Sequence, residues 1–356
     1  MRRLACLLAL TILACSPAGS VQTSSDPGQD VLDTSNPTLR VMTRNLYLGT
    51  DLLPVLAAPD LQTLVITVGQ QYALVQQTNF PERANAIAAE IAATKPHLVA
   101  LEECALWRTQ TPADGPATPA THVDYDFLQI LLVALARQGQ FYVPVAISTN
   151  TDAELTGAFP TGLMDVRFTD RDVILARLTP SLLVTHSSNG HYSFNLTVQT
   201  VGGPFTSLRG WTAVDGYLAG KPFHFVETHL EAFADPIRDI QAQELLAGPA
   251  AVSGRLVLAA DFNFDDTSAP YALYTSTGGF TDAWRAANDG DPGFSCCQNG
   301  DLLNPTSLLN DRIDLVFFRG GLTAAAAELV GAEPEDRTPS GLWPSDHAGV
   351  VASLRF

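Results

Sequence analysis

The feature that most constrains the fold is a set of short apolar runs that each lead directly into a polar side chain. Leu98–Leu101 is followed by Glu102 and Glu103, and the run from 255 to 260 is followed by Asp261. Four to six apolar residues bounded by turn residues are typical of buried strands. Polar groups at the ends of such strands are held at one rim of a rigid scaffold, so we expect them to converge.

Helical spacing is clearest after Pro81, where Ala84, Ile87 and Ile91 recur on one face before Pro96 ends the pattern. The predicted helices are 61–77, 81–94, 125–138, 235–246 and 269–275. The predicted strands are 40–45, 98–101, 141–146, 172–177, 223–228, 255–260, 313–318, 325–329 and 349–355, with a strand meander over 182–215 and loops over 111–121, 148–161 and 290–305. About ten to twelve strands, with as many hairpins as crossovers, predict an α/β (α+β) fold of two packed mixed sheets flanked by helices.

The N-terminus is typical of a targeting segment. Arg2 and Arg3 precede an apolar run, Leu4–Leu13, which is shorter than a membrane span. The sequence Ile-Leu-Ala-Cys that ends at Cys15 resembles a bacterial lipobox. This predicts a lipoprotein signal peptide over 1–14, lipidation of Cys15 and a lipid anchor in the bacterial cell envelope. A plain secretory signal, and therefore a secreted protein, is the alternative.

Residues 15–37 are rich in Ser, Thr, Pro, Gly and Asp, and they predict a flexible tether before one domain over 38–356. The chain has 356 residues, of which 46% are hydrophobic, so the domain can bury a sizeable core. The formal charge of −17 argues against nonspecific binding to nucleic acid or anionic lipid. A bound divalent cation can nevertheless reverse the local field and admit an anionic substrate.

Three of the five cysteines, Cys104, Cys296 and Cys297, remain once the signal peptide and the lipidation site are set aside. A bridge from Cys104 to either of the other two, a vicinal disulfide, and no disulfide are all compatible with the sequence. The cysteine and histidine spacing does not predict a zinc site.

Polar groups that follow or open an apolar strand recur along the chain. They are Asn45, Glu103, His229, Asp261 with Asn263, Asp314, and Asp346 with His347. Carboxylate and amide oxygens suit Mg²⁺ or Mn²⁺, which share their coordination with a phosphate oxygen. The histidines and the remaining acids can transfer protons and contact the charge that develops on phosphorus.

Taken in order, these segments resemble the endonuclease/exonuclease/phosphatase superfamily, which includes DNase-I-like nucleases and sphingomyelinases. The matching segments are Thr43-Arg44-Asn45, Leu101-Glu102-Glu103, Thr228-His229, Asp261-Phe262-Asn263, Arg312-Ile313-Asp314 and Ser345-Asp346-His347. The resemblance covers residues 40–356 and implies a four-layer α/β sandwich.

The resemblance also implies a metal site. Glu103 is the expected principal ligand of Mg²⁺, or of Mn²⁺, with Asn45 beside it and Asp346 nearby. This chain has Glu102 where the family usually has Gln, and Tyr47 where some members carry an acid that helps to hold the metal. Either change could alter the metal preference.

The remaining groups receive catalytic roles by the same resemblance. His347 is the expected general base, oriented by Asp314, while Asp261 and Asn263 position the attacking water and hold the phosphate. His229 is expected to contact the phosphate and to protonate the leaving oxygen.

Two pairs of acids near His229 are interpreted separately. Asp170 and Asp172 precede a strand and are candidates to orient His229, with a solvated turn as the alternative. Glu227 and Glu231 flank His229, and we expect them to lie on a solvated edge of the sheet, with a supporting contact to the site as the alternative.

These features predict a monomeric, Mg²⁺-dependent hydrolase of a phosphodiester or phosphomonoester, anchored in the envelope, that cleaves by in-line attack of water. The substrate can be a nucleic acid, a phospholipid headgroup or a phosphorylated metabolite, so DNase-like and sphingomyelinase-like activities both stay open. A non-catalytic binding lipoprotein on the same fold would be expected to lack at least one of the key polar groups, and all are present.

Overall fold

The computed structural model of the protein describes residues 36–356. The predicted signal peptide, the lipidation site at Cys15 and the tether up to residue 35 lie outside this part of the chain. Within residues 36–356, every helix is too short or too polar to span a membrane.

Residues 36–356 form sixteen strands and seven α-helices. The helices are α1 (Leu53–Leu56), α2 (Leu61–Gln77), α3 (Phe80–Thr94), α4 (Phe127–Arg137), α5 (Asp235–Ala247), α6 (Ala269–Thr275) and α7 (Ala283–Ala287). The strands are β1 (Thr38–Asn45), β2 (Leu98–Glu102), β3 (Leu106–Gln110), β4 (His122–Asp126), β5 (Tyr142–Phe159), β6 (Gly162–Arg177), β7 (Leu182–His191), β8 (Leu196–Thr200), β9 (Gly203–Ser207), β10 (Gly210–Leu218), β11 (Lys221–His229), β12 (Leu256–Asp261), β13 (Thr281–Asp282), β14 (Asp314–Arg319), β15 (Thr323–Val330) and β16 (Gly349–Arg355).

The strands form two mixed sheets and a separate hairpin. The first sheet has the order β15-β16-β1-β2-β6-β3-β4, with β5 also paired to β6. The second has the order β13-β14-β12-β11-β10-β7, and β8 pairs with β9. The parallel neighbours β1 and β2, and likewise β11 and β12, are joined by crossovers, which is why their polar ends meet on one rim.

Three apolar clusters define four layers. Val41, Leu98, Phe225 and Val257 belong to the cluster between the two sheets. Met42 and Val99 lie on the other face of the first sheet, in a cluster with residues of α2, α3 and α4. A third cluster joins the second sheet to α5 and α6. The predicted sandwich of two mixed sheets flanked by helices is therefore confirmed.

The prediction of a loop over 148–161 is wrong, because β5 continues to Phe159 and pairs with β6 along almost its whole length. The polar composition of this segment is typical of a loop, so the hairpin was not predicted. Many of these polar residues pair across the hairpin; Asp152, for example, accepts from Arg167. The short elements α1, β3, β4, β13 and α7 were not predicted either. A helix predicted from residue 125 starts at Phe127, because β4 occupies residues 122–126.

The inter-sheet core predicts a clear stability difference between two phenylalanines. Phe225 is completely buried, whereas Phe141 is 60% exposed. Phe225→Ala should lower the free energy of unfolding by about 3–5 kcal/mol, because it leaves a cavity in the core. Phe141→Ala is the matched control and should cost less than about 1 kcal/mol. Urea unfolding measures both, and equal losses would contradict this layer arrangement.

Candidate active site

Three neighbouring strands of the second sheet end in polar residues that stand side by side. His229 at the end of β11 is the register partner of Asp261 on β12, and Asp261 is in turn the partner of Asp314 on β14. All three side chains are buried. The predicted convergence of these residues is therefore a consequence of strand register.

The first sheet brings its own residues to the same rim. The Asn45 amide nitrogen donates to Glu103 Oε1 at 3.2 Å and to Asp261 Oδ2 at 3.0 Å, so it bridges the two sheets. Ser345 Oγ donates to the Asn45 carbonyl at 2.8 Å and accepts from the His347 amide, which ties the segment before β16 to the end of β1.

His347 and Asp314 form a buried dyad in which the imidazole Nδ1 lies 2.8 Å from Asp314 Oδ2. Nε2 is the opposite nitrogen of the ring, and it lies 3.9 Å from Asp261 Oδ2. Burial lowers the pKa of His347, but the carboxylates of Asp314 and Asp346 outweigh it and place the pKa well above its usual value. The predicted orientation of His347 by Asp314 has the geometry that a base requires.

His229 is oriented by an arginine. Arg209 donates to His229 Nδ1 at 2.9 Å, which leaves the proton of the neutral ring on Nε2, 3.4 Å from Asp261 Oδ2. Burial, Arg209 and His347 hold the pKa of His229 well below its usual value. The ring is therefore a neutral hydrogen-bond donor at the rim.

Asp170 lies near both this arginine and His229. Its Oδ2 lies 3.9 Å from Arg209, while Asp172 Oδ2 accepts from Asn150 at 2.6 Å. The prediction was that Asp170 and Asp172 orient His229, and both are buried close to it. The group that donates to the imidazole, however, is Arg209, which sequence reasoning missed because it lies twenty positions away in the chain.

Asp261 and Asn263 form a short turn beyond β12. The Asn263 amide donates to Asp261 Oδ1 at 3.0 Å, and the Asn263 side chain donates to the Leu230 carbonyl at 3.0 Å. Asn263 has a positive φ of 54°, as does Glu103, and few residues other than glycine adopt this conformation. Strained conformations of this kind concentrate at functional sites.

Glu103 and Asp346 are the half-buried acids that could hold a cation. Burial and the neighbouring Asp346 raise the pKa of Glu103 to about 7. Two carboxylates that repel each other at a partly open rim suit a hard divalent cation. The side-chain oxygen of Asn45 accepts from the Tyr47 amide at 2.8 Å, so its side-chain nitrogen points toward the carboxylates. In this arrangement Asn45 lies between Glu103 and Asp261 and donates to both.

A buried arginine, which the sequence analysis also missed, supports this metal side. Arg83 on α3 donates to the carbonyl oxygens of Leu46, Tyr47 and Pro344 at 2.7–3.0 Å. Its charge also lowers the pKa of Asp346, which burial raises. Tyr47 does not replace the acid found in some family members; its hydroxyl donates to the Gly300 carbonyl at 2.8 Å.

Behind the rim lies a layer of buried acids between the sheets. Burial raises the pKa of Glu102, Asp172 and Glu227 well above the usual value, and each has an oxygen without a hydrogen-bond partner. These side chains therefore favour the protonated form. The prediction of a solvated edge for Glu227 and Glu231 is wrong, because both are completely buried.

Of the three options for the cysteines, the structure contains the vicinal disulfide, between Cys296 and Cys297. Cys104 is buried with a free thiol. The vicinal pair lies beside the dyad of His347 and Asp314, with Cys296 Sγ 3.6 Å and Cys297 Sγ 4.0 Å from His347 Nε2.

The arrangement therefore combines an imidazole paired with a buried carboxylate, a neutral imidazole donor and two carboxylates that can hold a divalent cation, all on one rim of a two-sheet sandwich. Residues 73–347 match the sequence family described as "Endonuclease/Exonuclease/phosphatase family". The chain belongs to this family, whose members hydrolyse phosphoric esters. No curated protein matches it significantly.

Solved structures share the fold at low sequence identity. An endonuclease/exonuclease/phosphatase family protein from Bacteroides thetaiotaomicron is 18% identical with a TM-score of 0.57, covering 90% of this chain and 98% of that one. A relative from Bacteroides vulgatus is 15% identical with a TM-score of 0.54, covering 89% and 98%. A mannosyl-6-phosphatase from B. thetaiotaomicron VPI-5482 is 16% identical with a TM-score of 0.53, covering 89% and 100%.

The raised pKa of Glu103 predicts that metal binding depends on pH. A cation must displace the proton on Glu103, so the Mg²⁺ affinity should fall about tenfold for each pH unit below about 7 and level off above it. Isothermal titration calorimetry across this range measures the slope. Glu103→Gln, which keeps the side-chain shape, should bind weakly and lose the slope, and a pH-independent affinity in the unmodified protein would contradict the assignment.

The buried acids predict a stabilising substitution. Because the pKa of Glu102 is raised in the folded state, its contribution to stability is full below its ordinary value of 4.5 and is lost as the pH rises. Glu102→Gln removes this penalty and should raise the free energy of unfolding at neutral pH by about 1–3 kcal/mol, with a larger gain at higher pH.

The control for this substitution is Glu328→Gln on the exposed face of β15. It should leave the free energy of unfolding within about 0.5 kcal/mol of its original value. Denaturant unfolding at several pH values gives both quantities. A loss of stability in Glu102→Gln that is greatest at high pH would show that Glu102 is held as a carboxylate.

Proposed function

We propose that the protein is a divalent-metal-dependent phosphoric ester hydrolase that cleaves a phosphodiester or phosphomonoester by in-line attack of water. The observation that supports this most is the placement of both histidines around Asp261, across the rim from Glu103. In this proposal His347 accepts a proton and His229 donates a hydrogen bond, and attack of water at phosphorus needs one group of each kind.

His347 is the proposed general base. Its Nε2 takes a proton from water while the water oxygen forms a bond to phosphorus and the bond to the leaving oxygen breaks. Asp314 stabilises the imidazolium through Nδ1, and Asp261, whose pKa burial and Asp314 raise to about 6, lies close enough to orient the water.

His229 is proposed to stabilise the charge on phosphorus together with Asn263. Because its pKa is lowered and Arg209 occupies Nδ1, its Nε2–H offers a hydrogen bond to a phosphoryl oxygen rather than a labile proton. This keeps the contact with the phosphate that the sequence predicted for His229 but not the second predicted role, which was to protonate the leaving oxygen.

Glu103 and Asp346 are the residues that would hold Mg²⁺ or Mn²⁺. A cation there would supply positive charge to the phosphoryl oxygens and lower the pKa of His347 toward neutrality. Arg83 donates to the Pro344 carbonyl in the loop before Asp346 and to the Leu46 carbonyl in the loop whose Leu48 amide donates to Glu103, so it links the surroundings of the two acids before any cation binds.

A small phosphate ester or a lipid headgroup is the proposed substrate, in preference to a nucleic acid. A nuclease draws most of its affinity from basic groups along the phosphate backbone, and this chain has a formal charge of −17. The structural relative described as a mannosyl-6-phosphatase is compatible with a small substrate. DNase-like cleavage is the alternative that a substrate panel tests.

The proposed location is the bacterial cell envelope, with the protein attached through a lipid on Cys15 and acting as a monomer. The lipobox-like sequence that ends at Cys15 supports this proposal. Labelling with a radioactive fatty acid in wild-type and Cys15→Ser cells tests it, and incorporation that survives the substitution would contradict it.

The catalytic proposal is tested with bis-p-nitrophenyl phosphate as a generic diester. Hydrolysis should require Mg²⁺ or Mn²⁺ and stop on addition of EDTA. His347→Ala should lower kcat by about 100- to 10,000-fold, because the base is lost. The matched control is His224→Ala, since His224 also pairs with an aspartate, Asp215, at the other end of β11.

Two results would contradict this function. Hydrolysis that persists in EDTA would exclude the metal dependence, and equal activity of the two histidine variants would exclude His347 as the base. A metal-binding protein with no hydrolysis of any ester in a panel of DNA, RNA, sphingomyelin and sugar phosphates would support a binding role instead.

A further inference from the structure

The vicinal cysteines contact the one nitrogen of His347 that the proposed reaction uses. Nδ1 is held by Asp314, so Nε2 faces Cys296 Sγ at 3.6 Å and Cys297 Sγ at 4.0 Å. Both sulfurs lie within 4.8 Å of Nε2. Once the bond between them is reduced, the two sulfurs are free to move apart to the roughly 3.8 Å that two thiolates on one tetrahedral ion require.

Backbone hydrogen bonds hold this contact independently of the disulfide. Cys296 exchanges bonds with Asp311, donating to its carbonyl at 3.0 Å and accepting from its amide at 2.9 Å. On the other side, the Gln298 amide donates to the Asp346 carbonyl at 2.8 Å. The segment that carries the cysteines is therefore fixed beside His347 whether or not the sulfurs are bonded to each other.

The pair is also accessible from solvent on one side. Cys296 is 3% exposed, while the neighbouring Cys297 is exposed to solvent. A reductant or a hydrated cation can thus reach Cys297 first and then the buried sulfur next to it.

We propose that, once reduced, Cys296, Cys297 and His347 form a binding site for a thiophilic cation of the zinc type. Zinc binds thiolate at about 2.3 Å and imidazole at about 2.0–2.1 Å, which at a tetrahedral angle places sulfur about 3.5 Å from nitrogen. The observed separations of 3.6 and 4.0 Å are close to this value. Two thiolates also discriminate against Mg²⁺, which prefers oxygen ligands.

Formation of the site requires an external dithiol or phosphine reductant. The disulfide takes up two electrons and two protons to give two thiols, while the reductant is oxidised by two electrons. Binding of the cation then releases the two thiol protons, together with the proton that a charged His347 ring carries on Nε2, to solvent and leaves two thiolates and a neutral imidazole as ligands. The oxidised pair offers no thiolate, so the site exists in the reduced protein alone.

One consequence rests on the function proposed above. A cation on Nε2 takes the lone pair that would accept the proton from water, so the reduced, zinc-loaded enzyme should not hydrolyse its substrate. An external disulfide that takes up the two electrons, and is itself reduced to two thiols, would re-form the Cys296–Cys297 bond, release the cation and restore the base.

The test uses Co²⁺ as a spectroscopic substitute for Zn²⁺, added to the full-length protein with excess Mg²⁺. The phosphine-reduced protein should show the intense thiolate-to-cobalt charge-transfer absorption, and the oxidised protein should not. Zn²⁺ should displace the signal at one equivalent, and the rate of bis-p-nitrophenyl phosphate hydrolysis should fall in step with bound Zn²⁺.

Cysteine variants separate this site from other thiols. Cys297→Ser, at the exposed position, should lose the absorption, and Cys104→Ser should keep it. An absorption that is absent from the reduced protein, or that persists in Cys297→Ser, would overturn the proposal. Loss of the signal in Cys104→Ser would overturn it as well.

The cobalt signal does not depend on catalysis, so the two proposals can fail separately. Thiolate absorption without any ester hydrolysis by the oxidised protein would support the cation site and reject the proposed enzyme. Hydrolysis without the absorption would reject the cation site and keep the enzyme.

Discussion

The arrangement of the rim depends on the contacts of one group, the Asp261 carboxylate. One oxygen lies within 3.4 Å of His229 and 3.9 Å of His347 and accepts from Asn45, while the other accepts from the Asn263 amide. Residues from both sheets thus share one buried acid. Asn45 supplies the contact from the first sheet, so the packing of the two sheets sets the geometry of the site.

Many acids are buried where the sheets meet, so their negative charges would repel one another. Arginines reduce this repulsion, since Arg83 faces Asp346 and Arg209 faces Asp170. The rest is relieved by protons on acids such as Glu102, whose pKa burial raises. Glu103 and Asp346 are half-exposed at the rim, and their pKa values are raised as well, so a cation from solvent would complete the charge balance at that point.

The strand ends were predictable from the sequence because apolar runs are local signals, and Glu103, His229 and Asp261 each follow such a run. Arg209 and the contact of Cys296 with His347 were not, because they join residues far apart in the chain through strand pairing and loop packing. The β5–β6 hairpin was missed for a related reason: its polar residues are paired with one another, and composition alone does not show this.

The central claim is that Asp261 and His347 act as one unit on the attacking water. A double-mutant cycle with Asp261→Asn and His347→Ala, measured on kcat for bis-p-nitrophenyl phosphate at saturating Mg²⁺, tests it most directly. Residues that act together lose little more in combination than singly, so the double variant should be about as slow as the slower single variant. Losses that multiply independently would contradict a shared role.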